Sequence, residues 1–142
     1  MKTALIALVL LGGAAFFASA QSATTPATAS PSVGIPDVVV DGFRAYLNGG
    51  YAGATSVWSR NSTLQLDTQA VQNMNTILLT EGNLAGAFTG AEVVRIVSLS
   101  QSVEEVYVSA KYQNGILFMS FTCYKQPDKW IVTAFAADKD AT

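Results

Sequence analysis

The chain has 142 residues, half of them hydrophobic, with eight Lys or Arg against ten Asp or Glu and no histidine. The lack of histidine excludes catalysis and metal binding that depend on an imidazole, and the lack of a basic cluster argues against nucleic acid as a partner. Cys123 is the only cysteine, so no disulfide can form within the chain. Its place among apolar strand residues indicates a structural role.

The first twenty residues have the pattern of a secretory signal peptide. Lys2 supplies the positive start, an apolar run extends from Thr3 to Phe17, and Ala18-Ser19-Ala20 fits the cleavage site. The run is short and rich in Gly and Ala, which favours a cleaved leader over an uncleaved membrane anchor. We therefore expect an exported protein, periplasmic or secreted through a bacterial-type leader, with no stable membrane span after cleavage.

Composition divides the rest of the chain into three parts. Residues 21–35 are almost entirely Ala, Thr, Ser, Pro and Gly, which predicts a disordered linker because such a segment has little apolar surface to bury. Residues 36–138 are long enough for one folded domain. Residues 139–142 are expected to form a frayed tail.

Three helices are predicted in the first half of the domain. An apolar stripe from Val39 to Leu47 predicts the first, which Asn48-Gly49-Gly50 ends. Gly42 inside it indicates a close approach to the backbone. A second helix is expected from Tyr51 to Ser59. A third is expected from Asp67, which fits an N-cap, to about Glu81.

Four antiparallel strands are predicted in the second half. The first covers Ala91 to Ser100, and the stretch from Val103 to Ala136 reads as three strands joined by tight turns. Asn114-Gly115 predicts a type I′ turn, which pairs Ala110 with Met119. The predicted core face of this hairpin consists of Val106, Val108, Ala110, Tyr112, Leu117, Met119, Phe121 and Cys123.

The register of the last strand stays open between two alternatives. A two-residue loop at Pro127-Asp128 places on the core face Trp130, Val132, Ala134 and Ala136. A loop one residue longer places there Ile131, Thr133 and Phe135, because a slip of one residue exchanges the faces. The first alternative is preferred.

Two stretches carry a family resemblance. AYLNGGYAGATSVWS resembles the joint between the first two helices, and YQNGILFMSFTCYKQPDKWIVTAF the closing strand pair, of small exported members of the nuclear-transport-factor-two-like (cystatin-like, cone-shaped) superfamily. The likeness covers residues 36 to 137. It implies an α+β fold in which three N-terminal helices pack on a curved four-stranded antiparallel meander and leave an apolar cavity for a small hydrophobic ligand.

Tyr46, Trp58 and Tyr112 are the residues expected to line such a cone. Each is also explained as an ordinary core aromatic. Asp41 and Asp67 are explained as residues at helix starts rather than as a general base. No catalytic, cofactor-binding or metal-binding residue is assigned, and no cofactor is expected.

The strand carboxylates are not expected in the core. Glu105 falls on the face opposite the core, and Glu104 lies at the edge of its strand. The opposite face also carries three aromatics, Tyr107, Phe118 and Tyr124, on an otherwise polar surface. We expect a partner on that face, with a second copy of the chain as the first choice because closed homodimers are the commonest assembly. The alternative is an ordinary exposed surface, since apolar atoms cover more than half of any protein exterior.

The sequence therefore favours an exported, non-catalytic binding or protein-interaction module. The alternative is a small lyase- or isomerase-like enzyme acting on a hydrophobic substrate held in the cone, as members of the superfamily do with Asp, His or Tyr. A large cavity lined by a buried carboxylate would favour the enzyme, whereas a filled interior would disfavour both the enzyme and the small-ligand binder.

Overall fold

The computed structural model describes residues 34–139 and shows an α+β fold. The predicted leader and nearly all of the predicted linker lie outside the described residues. Four antiparallel strands form one sheet in the order β1-β2-β3-β4. The elements are α1 (Asp37–Ser59), a 3₁₀ turn (Thr63–Gln65), α2 (Thr68–Ala85), β1 (Phe88–Ser98), β2 (Val103–Tyr112), β3 (Gly115–Lys125) and β4 (Trp130–Asp138).

The two helices replace the three that were predicted. The first two predicted helices are the halves of α1, which is kinked where Gly50 alone leaves helical geometry, at φ 73° and ψ −174°. That region of backbone space is accessible essentially only to glycine. The first predicted helix therefore does end at this glycine, but the chain is helical again from the next residue, and no separate loop joins the two halves.

Gly42 allows the two halves of α1 to pack against each other. The indole of Trp58 lies directly over Gly42, so that a Cβ at this position would overlap the ring. The indole N–H donates a hydrogen bond to the carbonyl oxygen of Val39 at 3.3 Å. The close approach predicted at Gly42 is confirmed.

α2 begins as predicted and ends later. The carboxylate of Asp67 accepts a hydrogen bond from the backbone N–H of Ala70 at 2.9 Å, which satisfies one of the unpaired amides of the first turn. The helix continues through Gly82, although glycine costs about 1 kcal/mol inside a helix, and ends at Ala85 before Gly86 with φ 88°. The extra turn buries Ala85.

The predicted core face of the β2–β3 hairpin is correct, but its pairing is wrong by two residues. Tyr112 pairs with Gly115, so the turn residues are Gln113-Asn114. A shift of two residues leaves every side chain on its predicted face. All eight residues of the predicted core face are buried.

The α2–β1 connection explains the shifted turn. The backbone N–H of Asn114 donates to the carbonyl of Ala85 at 2.8 Å, and that of Gln113 donates to the carbonyl of Ala87 at 3.1 Å. Gly115 does not have positive φ. Its small size is what matters, because a Cβ there would lie 2.9 Å from the Cβ of Ala85.

Each of the two registers considered for the last strand is found in one half of β4. Val132 lies opposite Cys123, as the first alternative required, whereas Phe135 lies opposite Phe121, as the second required. The pairing shifts by one residue between Thr122 and Cys123. Such a bulge exchanges the faces partway along a strand.

Aromatic rings fill the interior between α1 and the sheet. The ring of Trp58 lies 4.9 Å from that of Phe121 and 5.0 Å from that of Phe43, measured between centroids. Phe88 stacks on Tyr46 at 4.2 Å, and Phe135 lies 5.6 Å from Phe121. These spacings are typical of packed aromatic pairs.

Candidate functional site

Trp58, one of the three predicted pocket residues, is a fully buried core residue. None of its surface is exposed, and its single polar group is used by the hydrogen bond to Val39. It packs against Phe43, Phe121 and Phe135. A ligand could reach its ring only if this cluster opened.

Tyr46 and Tyr112, the other two predicted pocket residues, bind each other. Their hydroxyl oxygens lie 3.0 Å apart, and the Tyr46 hydroxyl donates to the carbonyl oxygen of Leu78 at 3.4 Å. Burial raises the pKa of both phenols, and the nearby carboxylate of Glu81 raises both further. Both therefore stay protonated at neutral pH and act as hydrogen-bond donors rather than as bases.

Two buried carboxylates escaped the sequence analysis. The side chain of Glu81 is 6% exposed, and its Oε2 lies 3.2 Å from Nζ of Lys139, the first residue of the predicted frayed tail. Glu104 is buried on the core face opposite Cys123, and its Oε2 has no hydrogen-bond partner among residues 34–139. The expectation of a core face without a carboxylate is therefore wrong.

The helical spacing of Glu81 and the strand spacing of Glu104 both predict a position on a buried face. Glu81 follows Leu78 by three residues and Met74 by seven, which places it on the buried side of α2. Glu104 precedes Val106 by two residues and so shares its face. The sequence prediction places Glu104 at the edge of its strand and Glu81 only at the end of its helix, so it uses neither spacing.

Cys123 is a buried thiol. Burial, together with the negative charge of Glu104, raises its pKa to about 12. Because the thiolate is the reactive form, this cysteine is unreactive in the folded protein. Among residues 34–139 no group of three Asp, Glu or Cys side chains could hold a metal ion.

One depression on the described part of the chain lies on the sheet face that points away from the helices. It is an open groove of about 450 Å³ with a mainly apolar lining. Tyr107 and Phe118, two of the three predicted interface residues, line it, and both are half-buried. We call this surface the outer groove; it is lined by Val94, Arg95, Tyr107, Val108, Phe118, Met119, Ser120, Ala136, Ala137 and Asp138.

The two ends of the outer groove carry opposite charges. At the β1 end, the guanidinium of Arg95 lies 4.2 Å from the centroid of the Tyr107 ring, a favourable cation–π contact. At the β4 end lies Asp138. Tyr124, the third predicted interface residue, is 42% exposed and does not line the groove.

Comparisons with models of protein families, with curated proteins and with solved structures find no match for this chain. No helix within residues 34–139 has the length and the hydropathy that crossing a membrane requires.

Proposed function

We propose that the chain is an exported, non-catalytic protein-interaction module that docks through the outer groove. The observation that carries this proposal is the groove itself, in which Tyr107 and Phe118 are half-buried beside Arg95 on a face that no helix of the described chain covers. Aromatic residues and arginine are the types most enriched where protein surfaces bind each other. The leader pattern at residues 1–20 supports export.

The interior gives less support to a small-ligand binder or an enzyme. Three of the grooves on residues 34–139 have volumes of about 390 to 450 Å³, and none of these three is lined by Tyr46, Trp58 or Tyr112. The two tyrosine hydroxyls bond each other, and the rings around them are in contact. A substrate would have to displace these contacts before it met a reactive group.

The partner proposed for the outer groove is a second copy of the chain. A twofold axis parallel to the strands would lay β1 of one copy over β4 of the other. An isologous interface of this kind closes on itself. The apolar middle of the groove, around Phe118, would supply the buried area.

Static light scattering on residues 21–142 tests the proposal. We expect a dimer at micromolar concentration, and a monomer when Phe118 is replaced by serine. Leu66→Ser is the matched control, because Leu66 is an exposed apolar residue, 86% accessible, that does not line the groove. A monomeric wild-type protein, or equal effects of the two substitutions, would refute docking through this groove.

Export is tested separately by the mature N-terminus. Mass spectrometry of the protein recovered from the periplasm or the medium should show a chain that begins at Gln21. A full-length chain retained in the cytoplasm would contradict the leader.

A further inference from the structure

Among residues 34–139, β1 forms an edge of the sheet and pairs only with β2. The backbone groups of residues 90–97 that point away from β2 make no hydrogen bond to another segment of this described part. Such a row of unpaired N–H and C=O groups is a template for a further strand. With 11 residues, β1 is also as long as any strand of the sheet.

An apolar groove of about 400 Å³ runs between this edge and α1. We call it the edge groove; it is lined by Ile35, Val39, Val40, Phe43, Arg44, Leu47, Phe88, Ala91, Val93 and Val108. Leu47 is 57% exposed and Val40 is 38% exposed on its α1 side, and Val93 is 36% exposed on its β1 side. The solvent-facing side of a surface helix is normally polar, so exposed apolar residues such as Leu47 and Val40 are not required there for folding.

The position of the edge groove suits a strand better than a compact ligand. A strand added to β1 would lie about 4.8 Å from it and would direct alternate side chains to the two faces of the sheet. Those on the core side would enter the edge groove beside Val93, and those on the other side would lie beside Val94 at the margin of the outer groove. Both faces of the added strand would therefore meet apolar surface.

Irregularities in β1 limit how long the added strand can be. The pairing of β1 with β2 shifts between Phe88 and Gly90 and again between Val93 and Arg95. Bulges of this kind protect a sheet edge from indiscriminate pairing. The regular run between them, Gly90–Val93, lies beside the edge groove, so a short extended segment is what fits.

Charge indicates what that segment should carry. The two other basic residues near the edge are paired, Arg44 with Asp41 at 2.6 Å and Lys111 with Glu92 at 2.7 Å. Arg95 makes no ion pair among residues 34–139; its charge is only held over the ring of Tyr107. A carboxylate on the added strand would compensate this charge.

Two other occupants fit less well. In a second copy paired through β1, the carboxylate available for Arg95 would be that of Glu92, which is already bonded to Lys111. The chain's own residues 21–33 contain Pro26 and Pro31 and are mostly Ser, Thr and Ala. Proline has no N–H to donate to a strand ladder.

We propose that β1 accepts, as a fifth strand, a short extended segment of a partner protein that is apolar at alternate positions and carries a carboxylate beside Arg95. This inference rests on the interaction role proposed above but not on the dimer through the outer groove. Main-chain hydrogen bonds supply most of the affinity in strand addition, and pockets for alternate side chains supply specificity. A designed peptide with the required pattern is therefore a sufficient probe.

Amide hydrogen exchange on isotope-labelled residues 21–142 tests the proposal. The probe is a short synthetic peptide in which valine alternates with threonine and one threonine is replaced by glutamate. We expect it to slow the exchange of the Gly90–Val93 amides that point away from β2, whereas the same peptide with N-methylated backbone amides should not. The absence of slowing at millimolar peptide would overturn the proposal.

Three variants make the test specific. Arg95→Glu should lower the affinity for the glutamate peptide by about two- to fivefold, the effect of one cross-strand charge pair. It should raise the affinity for the same peptide with lysine in place of glutamate. Leu47→Ser should weaken both peptides, and Phe118→Ser, which is designed to break the dimer, should leave their affinity unchanged. If amide exchange at Gly90–Val93 slows when the protein concentration alone is raised, the occupant is a second copy and the proposal is overturned. Loss of peptide binding in Phe118→Ser would also overturn the proposal.

Discussion

Replacing Gly42 by alanine would place a methyl group where the indole of Trp58 lies. A Cβ built on Gly42 overlaps three atoms of that ring. The ring is fully buried among Phe43, Phe121 and Phe135. Neither residue has room to move without disturbing the interior.

The expected cost combines three effects. Alanine is favoured over glycine inside a helix by about 1 kcal/mol. Against this, forcing a side chain into a packed core costs about 1 to 3 kcal/mol, and displacing the indole from Val39 leaves a buried N–H unpaired, which costs about 1 to 3 kcal/mol. The net loss in the free energy of unfolding is therefore about 3 kcal/mol, taking the middle of these ranges.

Urea denaturation of residues 21–142 measures this loss. The matched control is Gly82→Ala in α2, because a Cβ at Gly82 meets nothing within 4 Å. The control should raise the free energy of unfolding by about 0.5 to 1 kcal/mol, the helix-propensity effect alone. If Gly42→Ala were as stable as the wild type or more so, the packing of the two halves of α1 described here would be refuted.

Three further predictions concern the buried polar groups. Tyr46→Phe should destabilise the protein more than Tyr112→Phe, because it leaves the buried hydroxyl of Tyr112 without a partner, at a cost of about 1 to 3 kcal/mol. Tyr112→Phe leaves the Tyr46 hydroxyl bonded to the carbonyl of Leu78. Equal losses of the two variants in urea denaturation would contradict this hydrogen-bonded pair. The pKa of Glu104 is raised by burial, which outweighs the opposing charge of Lys125, so its contribution to stability is full below the ordinary glutamate pKa and is lost as pH rises through the raised pKa. Glu104→Gln should therefore gain stability relative to the wild type across that window, and a pH-independent difference between the two proteins would rule this out. The thiol of Cys123, whose pKa is about 12, should react with a thiol reagent only after unfolding; rapid reaction of the native protein would show that it is accessible.

Face assignments could be predicted from the sequence because they depend on short-range periodicity. The alternation in Val106, Val108 and Ala110 identified the core face of β2 even though its predicted pairing with β3 was wrong by two residues. Pairing depends on the turn, and here the turn is held by Ala85 and Ala87 of a distant connection. No local pattern around Asn114-Gly115 carries that information.

The bulge in β4 shows a second limit of the same kind. Val132 and Phe135 differ by an odd number of residues yet share the core face. A strict alternation pattern must assign one of them to the wrong side. Only the packing of Phe135 against Trp58 and Phe121 decides the matter, and that packing is tertiary.

Some residues of the candidate site could be predicted from the sequence, and others depend on tertiary structure. An excess of aromatics on a polar strand face predicted the surface at Tyr107 and Phe118, because alternation alone places both residues there. Arg95 could not be assigned to that surface, since the shift in β1 between Val93 and Arg95 sets which way it points. Tyr124 is on the predicted face but beyond the groove, a distinction that depends on the shape of the sheet.

Disulfide cross-linking at Ser120 tests the central claim most directly. Ser120 lies in the outer groove, and a residue near a twofold axis meets its own equivalent. The native Cys123 is buried and does not compete. With Ser120→Cys in residues 21–142 under mild oxidation at micromolar concentration, we predict a covalent dimer that forms much faster than with Asn83→Cys, an exposed position on α2. Cross-linking of Ser120→Cys no faster than that of Asn83→Cys would contradict docking of two copies through the outer groove.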